Sequence, residues 1–153
     1  MRFLDGSGKA RVASEIERTL SNTRATRAFA VYRVDASSLA RTQGALLGAI
    51  ANRLDVRLPR EVWARLAAIE KRGLEFAARK AVPVIFVTNA ERLNADGLDD
   101  VKAVWDLVLP SGSSFLFRVV LFAEPRLVTR LGTSRFRALR SRISPWCRLE
   151  PPG

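Results

Sequence analysis

Val84, Ile85, Phe86 and Val87 form an apolar run with no polar residue between them. A strand that is apolar on both faces belongs in the interior of a sheet covered by helices on both sides. Pro83 stands at its entrance, where a missing N–H does least damage. Residues 115–122 (FLFRVVLF) make a second such run. Shorter apolar stretches at residues 2–4, 29–34 and 146–149 suit three further strands. Between the strands the period changes. Val12, Ile16 and Leu20 are spaced by four and predict a helix over residues 10–21. Ser37 or Ser38 can cap a helix that carries Leu39, Leu46, Leu47 and Ile50. Beyond Pro59, Val62, Trp63, Leu66, Ile69, Leu74 and Phe76 fall on one or two helices ending near Lys80. Residues 96–109 read as a helix, 110–113 as a turn, and 127–131 and 136–143 as two short helices. Alternating strands and helices predict an α/β fold of three layers, with a mainly parallel sheet of about five strands and right-handed crossovers.

Composition narrows the classes. The 153 residues suffice for one domain over residues 1–150, with 151–153 as a tail. No apolar run approaches the ~18 residues that cross a bilayer, so membrane insertion is not expected. The first residues lack the apolar segment of a signal peptide, and a cytoplasmic protein is expected. A single cysteine, Cys147, and no histidine exclude most zinc sites and Ser-His-Asp or Cys-His catalysis. No metal-ligand set is expected, and Cys147 reads as a small buried apolar residue. The net charge of +11, from 26 basic and 15 acidic side chains, fits a phosphate-rich partner such as DNA or an arginine-heavy solvated surface.

Sites in open parallel sheets lie where the strands end. Thr88, Asn89 and Glu91 therefore stand where chemistry would occur. Glu91 is the acid nearest that strand end, and its expected state is a solvated helix residue. Gly6, Ser7, Gly8 and Lys9 lie between a strand and a helix, the setting of a phosphate-binding loop. In such a loop backbone N–H groups and the helix N-terminus hold phosphate, with the lysine as a point charge. Phe3 falls where the pattern G-x-x-x-x-G-K-[ST] has its first glycine, and Ala10 where it has a hydroxyl. The stretch reads as such a loop or as an ordinary glycine turn.

Three strings extend the comparison. Residues 84–93 (VIFVTNAERL), residues 119–127 (VVLFAEPRL) and residues 139–143 (LRSRI) follow one another in order. With the stretch at residues 6–9, the chain resembles the AAA+ ATPases of the group that includes general-secretion ATPases and transposition helper ATPases. That resemblance implies a P-loop fold with strand order 5-1-4-3-2 and ATP as candidate cofactor, gripped by Gly6, Ser7, Gly8, Lys9 and Ala10. It also implies that Thr88 and Asn89 stand in place of the two acids that support Mg²⁺ and activate water. Ala10 lacks the Mg²⁺-binding hydroxyl, and Glu124 adds negative charge near the γ-phosphate, so Mg²⁺ support is expected to be poor. Arg140 and Arg142 match arginines near a subunit interface, one of which can serve as an arginine finger; a basic helix face is the alternative. The family's small helical lid domain is expected to be absent. The implied function is an AAA+ nucleotide-binding module, weak or inactive in hydrolysis, that self-associates or assembles with protein partners. Its alternatives are a working ATPase of a secretion or transposition system and a basic DNA-binding module with no nucleotide role.

Overall fold

The computed structural model describes residues 2–5, 9–22 and 28–148. Five strands form one sheet: β1 (Arg2–Asp5), β2 (Ala28–Asp35), β3 (Ala81–Thr88), β4 (Arg118–Phe122) and β5 (Trp146–Arg148). Their order is β2-β3-β4-β1-β5, which read from the other edge is the expected 5-1-4-3-2. Every pairing is parallel. The helices are α1 (Lys9–Asn22), α2 (Ala45–Arg53), α3 (Val62–Ala78), α4 (Ala95–Trp105), α5 (Arg126–Leu131) and α6 (Arg137–Arg142).

The period-two geometry of a strand sorts the apolar runs into two layers. Val84 and Phe86 of β3, with Val120 and Phe122 of β4, face α1 and pack with Ala13, Val12, Ile16 and Leu20. Ile85 and Val87, with Val119 and Leu121, face the other way, into a larger core with Leu46, Ile50, Ile69, Leu98 and Leu127. Two-sided burial is why these segments lack polar alternation. Gly73 of α3 permits a close approach on the larger face, because a Cβ there would lie 2.7 Å from the Phe117 ring.

Several boundaries differ from the sequence expectation. Pro83 is the third residue of β3 rather than its entrance. It is tolerated because β4 first pairs at Val84, opposite Arg118, so at Pro83 only β2 lies alongside. The strand expected over 115–122 begins at Arg118. Phe115 instead bridges antiparallel to Val108 and stacks on Trp105 with ring centroids 4.4 Å apart. Leu116 N–H donates to Leu107 O, and Leu109 N–H to Ser114 O, which closes a small hairpin around the turn. That hairpin also ends α4 at Trp105 rather than at Leu109. The helix after Ser37 and Ser38 starts only at Ala45, because Asp35 holds both serines in a 3-10 turn over Ala36–Ser38. One helix, α3, covers the stretch after Pro59. The helix expected over 136–143 divides into a 3-10 turn, Ser134–Phe136, and α6.

Candidate functional site at the carboxyl edge of the sheet

The carboxyl edge brings together Asp35 after β2, Thr88 and Asn89 after β3, and Glu124 after β4. Asp5 ends β1, and Lys9 opens α1. Gly6, Ser7 and Gly8, named above as phosphate-loop residues, lie outside the described residues. Helix α1 has no acidic residue in its first turn. The positive end of its dipole and the Lys9 ammonium thus share one place, an arrangement that a bound anion would stabilise. Ala10 follows Lys9 with only a methyl group, and it is exposed.

Sheet order sets the spacing along this edge. β4 separates β1 from β3, so the ends of β1 and β3 lie about 10 Å apart at the usual interstrand distance. The Thr88 hydroxyl donates to Val34 O at 3.5 Å. Asn89 takes the left-handed backbone region (φ 53°, ψ 40°), which a short polar side chain accepts at modest cost. Its Nδ2 donates to Asp35 Oδ1 at 2.9 Å. Asp35 Oδ1 also accepts from Ser37 N–H at 3.0 Å and from Ser37 Oγ at 2.7 Å. The bond from Asn89 is the largest influence on Asp35, and together with Ser37 it outweighs partial burial and holds this carboxyl below the usual carboxylate range. Glu124 is half-exposed and pairs with Arg126 at 3.3 Å.

Glu91 is not the solvated residue expected. It is 7% exposed and is the buried charged side chain of the described core, with no hydrogen-bond partner at Oε2. The 3-10 turn Ala90–Arg92 turns it inward, and Arg130 Nη1 locks that turn by donating to Glu91 O at 3.2 Å and Leu93 O at 2.7 Å.

The arginines near the chain's end divide into two sets. Arg135 pairs with Asp99 at 3.0 Å, and Arg142 Nε donates to Asp106 at 2.6 Å. Asp99 on α4 and Asp106, which caps its end, stand about two turns apart, as Arg135 and Arg142 do along the last helical segment. The two segments therefore run side by side in the same direction. For Asp106, burial pushes the carboxyl up, but hydrogen bonds from Arg142 and Lys102 prevail and hold it low. Arg137 and Arg140 are exposed, form no ion pair among the described residues, and line one cleft with Leu131, Gly132, Thr133 and Ser134. Of the two candidate finger residues, Arg140 is thus free and Arg142 is tied to α4.

A second cleft, about 90 Å³, lies beside the ends of β2 and β3 between Ser37, Arg41, Thr42, Arg92, Asn94 and Asp100. That volume has room for a few waters but not for a nucleotide. Burial, with Asp96 and Asp99 nearby, pushes Asp100 up to about 6.

The donor set does not fit a Mg²⁺ ion held by the protein. Ala10 offers no oxygen, the Thr88 hydroxyl faces Val34 O, and among the described residues no group of three or more acidic, cysteine or histidine side chains could hold a metal. No helix among the described residues is long and apolar enough to cross a membrane.

Solved structures share this architecture. The chain superposes on ORC2 of Aeropyrum pernix, in its ADPNP-ADP complexes, with TM-score 0.74 at 15% identity, covering 97% of this chain and 41% of that one. For Aeropyrum pernix ORC1 in complex with DNA the TM-score is 0.70 at 18% identity, over 99% and 40%. For Drosophila ORC bound to AT-rich DNA and Cdc6 it is 0.63 at 13% identity, over 99% and 49%. The chain thus spans less than half the length of each of these proteins. Curated proteins provide no match. A model described as "AAA domain" matches residues 4–131, from β1 through α5. With the strand order β2-β3-β4-β1-β5 and a lysine opening the helix after β1, that match establishes that the chain belongs to the AAA domain family.

Proposed function

We propose that this chain is a nucleotide-binding AAA+ module, weak or inactive in hydrolysis, that assembles with itself or with partners on DNA. The observation that carries this reading is the start of α1: a lysine and a helix N-terminus without acids, placed directly after the strand beside β4. ATP or ADP would place its phosphates at this helix start, with Lys9 beside them and the backbone of Gly6 to Gly8 around them. The likeness to Aeropyrum pernix ORC2 in its ADPNP-ADP complexes and to ORC1 in complex with DNA supports the direction of the reading. Its placement among secretion or transposition systems rests on the sequence strings alone. The test is thermal unfolding of the whole chain with and without millimolar ATP–Mg²⁺ or ADP. A ligand present at about 100 times its Kd stabilises by about 2.7 kcal/mol, several degrees for a domain of this size. The shift should vanish in Lys9→Ala. A wild type indifferent to both nucleotides overturns the reading.

DNA contact falls to Arg137 and Arg140, which share a face and have no acidic partner among the described residues. Phosphate contacts of this kind weaken steeply with salt. The double substitution Arg137→Ala with Arg140→Ala should lower DNA affinity at 50 mM salt about tenfold or more and flatten its salt dependence by about two counterions. Affinity unchanged in the double variant, or no salt-dependent binding by the wild type, removes DNA and leaves protein assembly. The alternative, a working ATPase of a secretion or transposition system, requires turnover at ordinary enzyme rates.

A further inference from the structure

Helix α1 runs back along the sheet from Lys9 at the carboxyl edge, so Leu20 lies about 16 Å away toward the amino edge. There the sheet is notched. β4 begins at Arg118, opposite Val84 of β3, whereas β1 enters at Arg2, opposite Val120. Among the described residues, the lane beside Arg118 and Val119 on the β1 side carries no strand. The end of the smaller core is therefore left open. Ile16 and Leu20 of α1, Phe29 of β2, Val84 of β3 and Val120 of β4 line a cleft of about 320 Å³, and Trp105 of α4 borders it. Arg118 is its charged residue, and no acidic side chain among the described residues lines it. Strand alternation puts Arg118 on the same face as Val120 and Phe122. The side chain is half-buried, and its guanidinium lies over the Phe115 ring at 5.9 Å from the centroid. It makes no hydrogen bond or ion pair among the described residues.

We propose that this cleft binds a small apolar carboxylate, its alkyl chain against α1 and β4 and its carboxylate on the Arg118 guanidinium. The lining has the make-up of a small-molecule site, mostly apolar with a polar group that fixes orientation. Size sets the length of the chain. At the ~30 Å³ that one molecule occupies in liquid water, the cleft takes roughly ten non-hydrogen atoms, the size of octanoate. Charge sets the headgroup. A guanidinium grips a carboxylate through two parallel N–H···O bonds and matches its single charge. A phosphate monoester carries about 1.5 to 2 negative charges and would leave the excess against an apolar wall. The site lies at the opposite edge of the sheet from Lys9 and does not rest on the nucleotide-binding reading.

The test titrates the whole chain with octanoate, octanol, octyl phosphate and acetate by calorimetry, with melting temperatures and methyl NMR spectra of the same samples. Octanoate should bind, raise the melting temperature, and shift the methyl signals of Ile16, Leu20 and Val120. Octanol has the chain without the charge and should bind about tenfold more weakly, the worth of a hydrogen bond to a charged group. Acetate has the charge without the chain and should not bind at millimolar concentration. Arg118→Leu should lower octanoate affinity about tenfold and leave that of octanol unchanged. The ligand series decides the matter by itself if that variant fails to fold. Equal affinity for octanoate and octanol, octyl phosphate binding more tightly than octanoate, or acetate binding as tightly as octanoate overturns the proposal. So do shifts confined to the carboxyl edge, octanoate affinity unchanged in a folded Arg118→Leu, a melting temperature lowered by octanoate, and no octanoate binding at millimolar concentration.

Discussion

ATP turnover by this chain is expected to be far below 1 s⁻¹, the low end of ordinary enzymes. The expectation follows from three side chains. The Ala10 side chain has no oxygen for a metal, the Thr88 hydroxyl is directed to Val34 O, and Asn89 carries an amide where the family resemblance implies a base. Phosphoryl transfer relies on positioning and charge neutralisation; on the function proposed above Lys9 and Arg140 would supply these, with little metal support from the protein. Loss of a positioned general base alone costs a factor of about 10² to 10⁴. The check is steady-state phosphate release at saturating ATP–Mg²⁺. Turnover near 1 s⁻¹ that disappears in Lys9→Ala would show that another group has taken over the missing roles. Ala10→Thr, Thr88→Asp and Asn89→Glu made together should raise the rate, because they return a hydroxyl and two acids to one edge. Glu124 limits the gain, since its carboxylate lies at the end of the strand next to β1.

Replacing Phe86 by alanine should cost about 3–5 kcal/mol of stability, the usual loss for a fully buried aromatic ring. Its exposure is 0%, and its ring packs on Phe122 with centroids 5.1 Å apart, between β3 and α1. The smaller core has few side chains able to close the gap, which places the loss toward the upper end of the range. Domains of this size are stable by about 5–15 kcal/mol in all, so the variant should be largely unfolded in modest urea. Urea titration with an unchanged slope and a lower midpoint is the expected result. Trp63→Ala is the control. That ring is 81% exposed, and its removal should change stability by no more than about 0.5 kcal/mol. Equal midpoints for Phe86→Ala and wild type would contradict the packing described.

Strand and helix identities were legible because two-sided burial writes uninterrupted apolar runs and one-sided burial writes a helical period. Boundaries were less so, each for a physical reason. The run FLFRVVLF does not reveal that Phe115 turns back onto Val108 and Trp105, since an aromatic stacked in a hairpin and one in a central strand look alike in sequence. Ser37 and Ser38 look like helix caps, but Asp35, the acid that holds them, stands just before them. The burial of Glu91 was hidden because Ala-Glu-Arg has the composition of a surface turn; only the bonds from Arg130 show that the turn faces inward. The pairing of Asp35 with Asn89 spans 54 positions and becomes visible once β2 and β3 are in register. The ion pairs of Arg135 to Asp99 and Arg142 to Asp106 likewise tether two of the four arginines in this basic stretch, which their spacing alone does not reveal.

The unequal cores on the two faces of the sheet have a consequence for how this molecule would sense a ligand. Among the described residues, α1 seals a small cluster around Phe86 and Phe122 on one face, while on the other five helices share a large one. Elements that bury little apolar surface open at lower free energy than the rest of a domain. Helix α1 should therefore come away from the sheet more readily than β3 and β4 come apart. Its first residue is Lys9, so the element least firmly seated is also the one that would grip phosphate. Occupancy would then register as a change in the docking equilibrium of one layer, and part of the binding free energy would go into seating that helix. Affinity would be weaker by the fraction of time the helix is undocked, and any neighbour that presses on α1 would act as a regulator of nucleotide retention.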